Sequence, residues 1–259
     1  MAPVWLASFF LFGWQPLFLM LAAWAGGFAA EYAAKLVFGG GVQVANGSTA
    51  FFATLLALML PLTVPLWIAC VGGFSAVFLG KEIFGGLGKY PWHPVLIGLL
   101  LLEAAFPILM HQIPEVPEAP GPRSFLLDPQ AGTLGSASFL AVAAGAGVLI
   151  FKKLIRWEVP VLFFCVLWGL NVFRGAPVWQ ESLRQAGIMI PFWILTDPVT
   201  SPTTRAGNRI YAVAAAGWTV LIGTFFPAVF AAKVSVLVMN AATPWIDHYF
   251  RPSAERHLA

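Results

Sequence analysis

The stretch STAFFATLLALMLPLTVPLWIACVGGFSAVFLG, Ser48 to Gly80, carries no charged side chain from end to end. A helix wet on one face shows a polar stripe at a period of 3.6 residues, and none is visible here. Such a segment suits a hydrocarbon layer about 30 Å thick, which roughly 20 apolar residues cross as a helix. Pro61 and Pro65 divide it, so it reads as two spans, 48–62 and 64–80. The rest of the chain has the same character. Of its 259 residues 59% are hydrophobic and 10% charged, against about a quarter charged in soluble domains, and the mean hydropathy is +0.83. A soluble domain is excluded, and an all-α integral membrane protein is predicted. The alternating pattern of a membrane β-barrel is absent. The 14 basic residues and net charge of +3 sit at span ends, as topology signals rather than a nucleic-acid surface. Cys70 and Cys165 lie inside apolar runs, where small packing residues are expected rather than a disulfide or a metal site. No cleavable signal peptide is expected, because the first segment lacks a basic n-region.

Working outward, Pro3 to Phe38 is too long for one span, and Gly13-Trp14-Gln15-Pro16 breaks it into a partial helix and a full one ending near Lys35. Further spans are predicted at 94–111, 136–152, 158–173, 209–224 and 226–246, with a short one at 187–196. Lys152, Lys153 and Arg156 cluster in one loop, which the positive-inside rule makes cytoplasmic. Counting spans then puts the 112–135 loop, with Glu115, Glu118 and Asp128 against Arg123, outside, and Lys81, Lys89, Arg205, Arg209 and Arg251 inside. Gly47-Ser48-Thr49-Ala50-Phe51 and Gly135-Ser136-Ala137-Ser138-Phe139 both open spans. Each is followed by a span starting Val64-Pro65-Leu66 or Val159-Pro160-Val161, with Cys70 or Cys165 five residues past the proline. Three spans separate the two starts, so the units would be inverted, an arrangement that places a binding site between them near the midplane. Chance similarity between apolar segments is the rival explanation. The predicted organisation is a single transmembrane domain over 1–259: a first repeat at about 14–111, the external loop, a second repeat at about 136–246, and a cytoplasmic tail at 247–259.

Two stretches break the apolar monotony. The first is Lys81-Glu82-Ile83-Phe84-Gly85-Gly86-Leu87-Gly88-Lys89-Tyr90-Pro91-Trp92-His93-Pro94, whose glycines and prolines cannot continue a helix. At membrane depth such backbone survives only when buried in protein or lining a cavity, and its freed amides could hold a phosphate or a flavin ring. The alternative is a turn just outside the bilayer. The second is Leu195-Thr196-Asp197-Pro198-Val199-Thr200-Ser201-Pro202-Thr203-Thr204-Arg205, after a span too short to cross alone. Asp197 at depth is a functional candidate, or it and the threonines cap neighbouring helices. Glu31 and Glu103 are candidate relays or paired helix-end carboxylates. His93 and His111 bracket one helix, roughly 27 Å apart at about 1.5 Å per residue, so they do not share a haem iron, and haem is not expected. His248 and His257 lie past the last span and read as solvated. No nucleophilic triad, Walker loop, dinucleotide fingerprint or zinc spacing is present.

These two loops make the sequence recognisable. It resembles the RnfD/NqrB family of membrane subunits, found in the Rnf complex and in the sodium-pumping NADH:quinone oxidoreductase. The resemblance is carried by Phe84-Gly85-Gly86-Leu87-Gly88 with Pro91 and Pro94, and by Thr196-Asp197-Pro198-Val199-Thr200-Ser201. It is also carried by Val238-Met239-Asn240, Thr243-Pro244 and Ile246-Asp247 with Tyr249 and Arg251-Pro252, and by the glycine-and-serine helix start in Gly132 to Ser138. It runs in order from about residue 13 to 252. The resemblance implies a polytopic bundle of two inverted repeats with broken helices, similar to urea and ammonium channels. It implies a flavin held between the two loops, which would pack together, and electron transfer coupled to sodium or proton movement. Gly85, Gly86, Gly88, Pro91, His93, Thr196, Asp197, Thr200 and Thr203 become the candidate cofactor contacts. There are departures. An N-terminal span of the family is shortened or missing, and Tyr90 and His93 stand where the family writes asparagines. The acid of the family's Gly-Glu-Thr-Ser helix start is absent from Gly135-Ser136-Ala137-Ser138. The Ser-Gly-Ala-Thr motif whose threonine carries covalent FMN is missing altogether.

The expected function is that of one component of a redox complex in the cell inner (cytoplasmic) membrane, binding FMN or riboflavin, or a quinone, noncovalently. Its expected partners are membrane and peripheral redox subunits, an iron–sulfur protein or a cytochrome, within the lipid bilayer. A cofactor-free anchor for such subunits and a small-solute channel are the alternatives, and the absorption spectrum of the purified protein separates the first reading from both. Covalent FMN is not expected, since the external loop offers only Thr133, in Ala131-Gly132-Thr133-Leu134, where a hydroxyl next to a helix start is more often a cap. On a denaturing gel under ultraviolet light the 27.9 kDa band should be dark. A fluorescent band would point to Thr133 as an attachment site.

Overall fold

A computed structural model describes residues 1–39, 47–111, 134–136, 139–175 and 189–250. The described residues are helices, turns and irregular segments. Their contacts cluster into two compact units, Met1–Val148 and Leu149–Ala259. Among the described residues, three helical stretches are long and apolar enough to cross a membrane: Gln15–Phe38, Leu66–Phe84 and Ala228–Phe250. Five shorter apolar helices accompany them: Ala2–Phe12, Ser48–Met59, Pro94–Ala105, Leu140–Phe151 and Glu158–Phe173. Large apolar side chains point outward, including Phe10, Trp14, Phe151, Phe173 and Phe225, as lipid-facing surfaces require.

In the first unit, α1 (Ala2–Phe12) and α2 (Gln15–Phe38) are separated at Gly13, whose φ of 68° suits glycine, as the sequence break predicts. The buried stripe of α2 is Leu19, Ala23, Gly26, Gly27, Ala30, Glu31 and Ala34, a helical period made mostly of small residues. It meets α4 (Leu66–Phe78), which buries Ala69, Gly72, Gly73 and Ala76. A Cβ at Gly26 would stand 1.9 Å from the Cys70 carbonyl oxygen, and one at Gly73 would stand 2.1 Å from that of Ala23. Lipid tails are as apolar as leucine, so helices in a bilayer associate through such close packing rather than through hydrophobic expulsion. The contacts advance together, from Ala23 against Gly73 to Gly27 against Val77. The two helices therefore run in the same direction.

A parallel pair needs a return crossing, and α3 (Ser48–Met59) begins it. Its 12 residues span about 18 Å at 1.5 Å per residue, too little for the whole width. Leu60 and Pro65 are extended, with ψ of 148° and 150°, and between them the chain turns, the Val64 amide donating to the Pro61 carbonyl at 3.4 Å. The expected helix 48–62 thus stops at Met59. Pro61 has no N–H and clashes with the carbonyl four residues back, and it pushes Leu60 out of the helical region. The exposed backbone is met from elsewhere in the unit. The Leu134 amide donates to the Leu60 carbonyl at 3.2 Å, and Ser8 Oγ donates to the Leu134 carbonyl at 2.9 Å. Leu55, Leu56, Leu58 and Leu60 have no exposed surface.

The next helix, α5 (Pro94–Ala105), packs back along α4 through Gly98, whose Cβ would lie 2.8 Å from that of Ala76. Pro107 interrupts the expected span 94–111 at Phe106, which has φ −133° and ψ 55°, and α6 (Pro107–Met110) is a single turn. α7 (Phe139–Phe151) crosses the boundary between the units. The 112–133 segment, with Glu115, Glu118, Arg123, Asp128, Gly132 and Thr133, lies outside the described residues, as do Ala137, Ser138, Arg251, Pro252 and His257.

The second unit contains α8 (Glu158–Phe173), α9 (Arg205–Ile222) and α10 (Ala228–Phe250). α9 and α10 are antiparallel. Tyr211 donates its hydroxyl hydrogen to Asn240 at one level, and Thr219 and Ser235 share a 2.7 Å bond at another. Cys165 is exposed on α8 rather than packed, and both cysteines are free thiols. Pro65 precedes α4 and Pro160 lies in the first turn of α8, positions where a missing N–H breaks no intrahelical bond.

Replacing Gly73 by valine should force α2 and α4 apart and cost at least about 2 kcal/mol, read as a lower thermal midpoint in detergent. Gly217→Ala, where nothing lies within 4 Å, should be neutral or slightly stabilising. Equal melting of the two variants would contradict the packing described.

Candidate functional site

The glycine loop begins where α4 ends. Gly80 lies against Pro94, where an added Cβ would come within 2.6 Å of Pro94 Cα, so the two ends of the loop meet. Between them Glu82–Phe84 forms a 3-10 turn, and Gly85, Gly86 and Gly88 have φ of 97°, 94° and 84°. L side chains rarely adopt that conformation, so all three positions call for glycine. The amides of Gly85, Gly86 and Lys89 donate to Glu82, Lys81 and Gly86 carbonyls at 2.9, 3.1 and 3.3 Å. These three bonds tie the loop together between Lys81 and Lys89. Leu87 and Gly88 make no such backbone bond and are exposed, and nothing lies within 4 Å of where a Cβ of Gly86 or Gly88 would stand. These features leave room for the edge or face of a planar ligand.

Behind the loop the aromatic residues face inward. Tyr90 and His93 are buried, and both rings meet Phe52 edge-on at 5.7 Å. Pro91 is exposed, and Trp92 packs on Phe84. His93 is also the residue before the first turn of α5, with Pro94 at its first position, a placement that suits proline. His111 is exposed, with Nδ1 2.8 Å from the Pro107 carbonyl oxygen. No group of three metal-ligating side chains occurs among the described residues.

Lys81, read from the sequence as a topology signal, is 1% exposed. Its ammonium donates to Ser48 Oγ at 3.0 Å and Thr49 Oγ1 at 2.9 Å, and it pairs with Glu82 at 2.9 Å. Thr49 in turn donates to Glu31, whose other oxygen lies 3.9 Å from Lys35. Glu31 is therefore the paired helix-end carboxylate of the two readings above. The sequence clue to this cluster was a lysine joined directly to an apolar run, with hydroxyls opening α3. Residue type alone did not pair them.

The polar loop lies in the second unit. It follows a π-helical turn, Ile190–Ile194, within the expected short span 187–196, of which 187 and 188 lie outside the described residues. π-bulges occur often at functional sites. Asp197 Oδ2 accepts from the Thr200 amide at 3.2 Å and its hydroxyl at 3.1 Å. Thr196 donates to the Phe192 carbonyl at 2.7 Å. Thr203 donates its amide and hydroxyl to Asp247 Oδ1 at 2.9 and 3.0 Å, and Thr243 donates to the Thr200 carbonyl at 2.8 Å. Thr204 caps α9 through the Gly207 amide at 3.0 Å, and Asn208 donates to the Pro202 carbonyl. Arg156 reaches the Thr203 carbonyl at 2.8 Å, and Arg209 pairs with Glu158 at 2.8 Å.

Every candidate hydroxyl here is engaged within the unit, and Asp197 does close a turn as a cap would. The polar loop is bonded to α9 and α10. Asp247 and Thr243 hold it, and both fall in the C-terminal motif that carries part of the family resemblance.

The family model described as NQR2, RnfD, RnfE family matches residues 1–255. The D-type component of the ion-translocating oxidoreductase complex of Halorhodospira halophila is 29% identical, with 97% of this chain and 87% of that protein covered. That of Methanosarcina acetivorans is also 29% identical, covering 95% and 85%. The corresponding component of the proton-translocating ferredoxin:NAD(+) oxidoreductase complex of Clostridium ljungdahlii is 26% identical, covering 97% and 87%. With two loops carrying the recognised motifs and a match across nearly the whole length, this chain belongs to the NQR2, RnfD, RnfE family.

Proposed function

We propose that this chain is the membrane component of an ion-translocating redox complex, where it binds a flavin noncovalently and passes electrons to or from partner redox subunits. Family membership over residues 1–255 supports the assignment to such a complex, since its relatives carry that description. The observation that carries the cofactor reading is the glycine loop: three positive-φ glycines, two amides without an intramolecular backbone bond, and open space at Gly86 and Gly88. FMN or riboflavin would supply one- and two-electron chemistry there, and a quinone is the second candidate for the same flat surface. Gly85, Gly86 and Gly88 would present backbone to the ligand, with Pro91 at the rim and His93 beneath on Phe52. In the polar loop Thr196, Asp197, Thr200 and Thr203 contribute by shaping backbone, because their side chains are already bonded. An iron–sulfur protein or a cytochrome is the proposed partner, the cell inner membrane the proposed location, and two inverted repeats of a channel-like fold the proposed architecture.

One observation favours a second reading, in which the chain anchors partner subunits and holds no cofactor. The hydroxyls and the carboxylate of the polar loop leave little capacity for a ligand. The absorption spectrum of the purified, undenatured protein decides between them. Flavin bands that disappear on denaturation and filtration support the cofactor reading, and a colourless preparation supports the anchor. Asp197→Ala removes the acceptor that closes the 197–200 turn, a loss of about 1–3 kcal/mol locally. In the flavin-binding case it should lower cofactor content and electron transfer more than it lowers the thermal midpoint. Full activity and cofactor content in that variant would leave Asp197 as a cap only.

A further inference from the structure

Most lysines near a membrane extend their ammonium to water. Lys81 does the opposite. An ammonium has three N–H donors, and the three partners of Lys81, Ser48, Thr49 and Glu82, account for all of them. Ser48 and Thr49 form the first turn of α3, the positive end of the helix dipole, which is a poor neighbour for a cation. Glu31 corrects this, because Thr49 donates to it while accepting from Lys81. The carboxylates of Glu31 and Glu82 then balance the ammonium groups of Lys81 and Lys35. The same lysine holds the glycine loop by its main chain: its carbonyl accepts from the Gly86 amide at 3.1 Å and its amide continues α4 to the Val77 carbonyl at 3.1 Å. Both attachments meet at one residue.

We propose that Lys81 is the positioning residue of the glycine loop, a buried cation that pins the loop to the first turn of α3 and so fixes the shape that Gly85, Gly86 and Gly88 present. The proposal rests on the reading of that loop as the cofactor site. Buried ion pairs contribute little net stability, because desolvation offsets their attraction, and their best-attested use is to select one arrangement. A hydrogen-bonded charge explains what an apolar side chain would not. Three glycines give the loop many accessible shapes, and a single directional anchor at its base selects one.

The test is hydrogen–deuterium exchange of the Gly85 and Gly86 amides in the full-length chain. Lys81→Met keeps the bulk of the stem and removes the charge. It should speed exchange at these amides by about tenfold, equivalent to ~1.4 kcal/mol of lost protection, with the α2 and α4 amides unchanged. Lys81→Ala should behave likewise and be partly restored by propylammonium, which packing alone does not predict. Should both fail to fold, Thr49→Val removes one acceptor at nearly constant volume, and Thr49→Ser returns it. Loop exchange should rise in the first and stay normal in the second. Loop exchange at the wild-type rate in any folded Lys81→Met or Thr49→Val protein overturns the proposal. A colourless wild-type protein whose loop responds as described refutes the flavin reading and leaves the pin standing, whereas a flavin-bearing protein with an indifferent loop does the reverse.

Discussion

Backbone contact between α2 and α4 is the constraint on which the first unit depends. The carbonyls of Ala23 and Cys70 lie where side chains at Gly73 and Gly26 would be, so the approach exists only because those positions are glycine. Two parallel helices at that distance cannot be joined by a turn. The intervening chain must cross back, and it does so as the short helix α3 followed by the non-helical segment from Leu60 to Pro65. The broken return then needs amides and carbonyls from outside itself, which is why Leu134 and Ser8 sit at its end. One close contact thereby determines the placement of four segments.

The same logic applies to the two loops. Each leaves helical geometry among apolar helices, where unmatched backbone groups are costly, and each is met by local bonding. In the glycine loop the bonds are mostly main chain, and the anchor is one buried lysine. In the polar loop they are mostly side chain, with Asp247 and Thr243 of α10 reaching back to Thr203 and Thr200. The first leaves Leu87 and Gly88 exposed with no backbone bond, and in the second the Thr196, Asp197, Thr200 and Thr203 side chains are all engaged. That difference is why the proposal gives ligand contact to the glycine loop and shape to the polar loop.

Much of this was legible in the sequence. The break at Gly13, the helices before and after each loop, and the membrane character follow from composition and from proline and glycine placement. The motifs identified the family because several short signals recur in order. Helix lengths were less legible. Apolar runs such as 48–62 and 94–111 show no change in hydropathy at Pro61 or Pro107, so pattern alone could not decide between a kink, an end and a continuation. The partners of Lys81 and Asp247 were not legible either, because charge pairing across distant positions leaves no local trace. A lysine beside an apolar run looks the same whether it faces water or Thr49.

The bond from Leu134 to Leu60 also bears on the order in which the protein can be made. A chain entering a membrane as it is synthesised delivers α3 and its non-helical tail long before residue 134 leaves the ribosome. During that interval the Leu60 carbonyl has no protein donor, and holding it in hydrocarbon would be unfavourable. The half-helix must therefore wait at the interface, within the insertion machinery, or beside a borrowed partner. Assembly of the first unit is completed from its C-terminal edge, and a chain truncated before Leu134 would lack the piece that lets its centre settle.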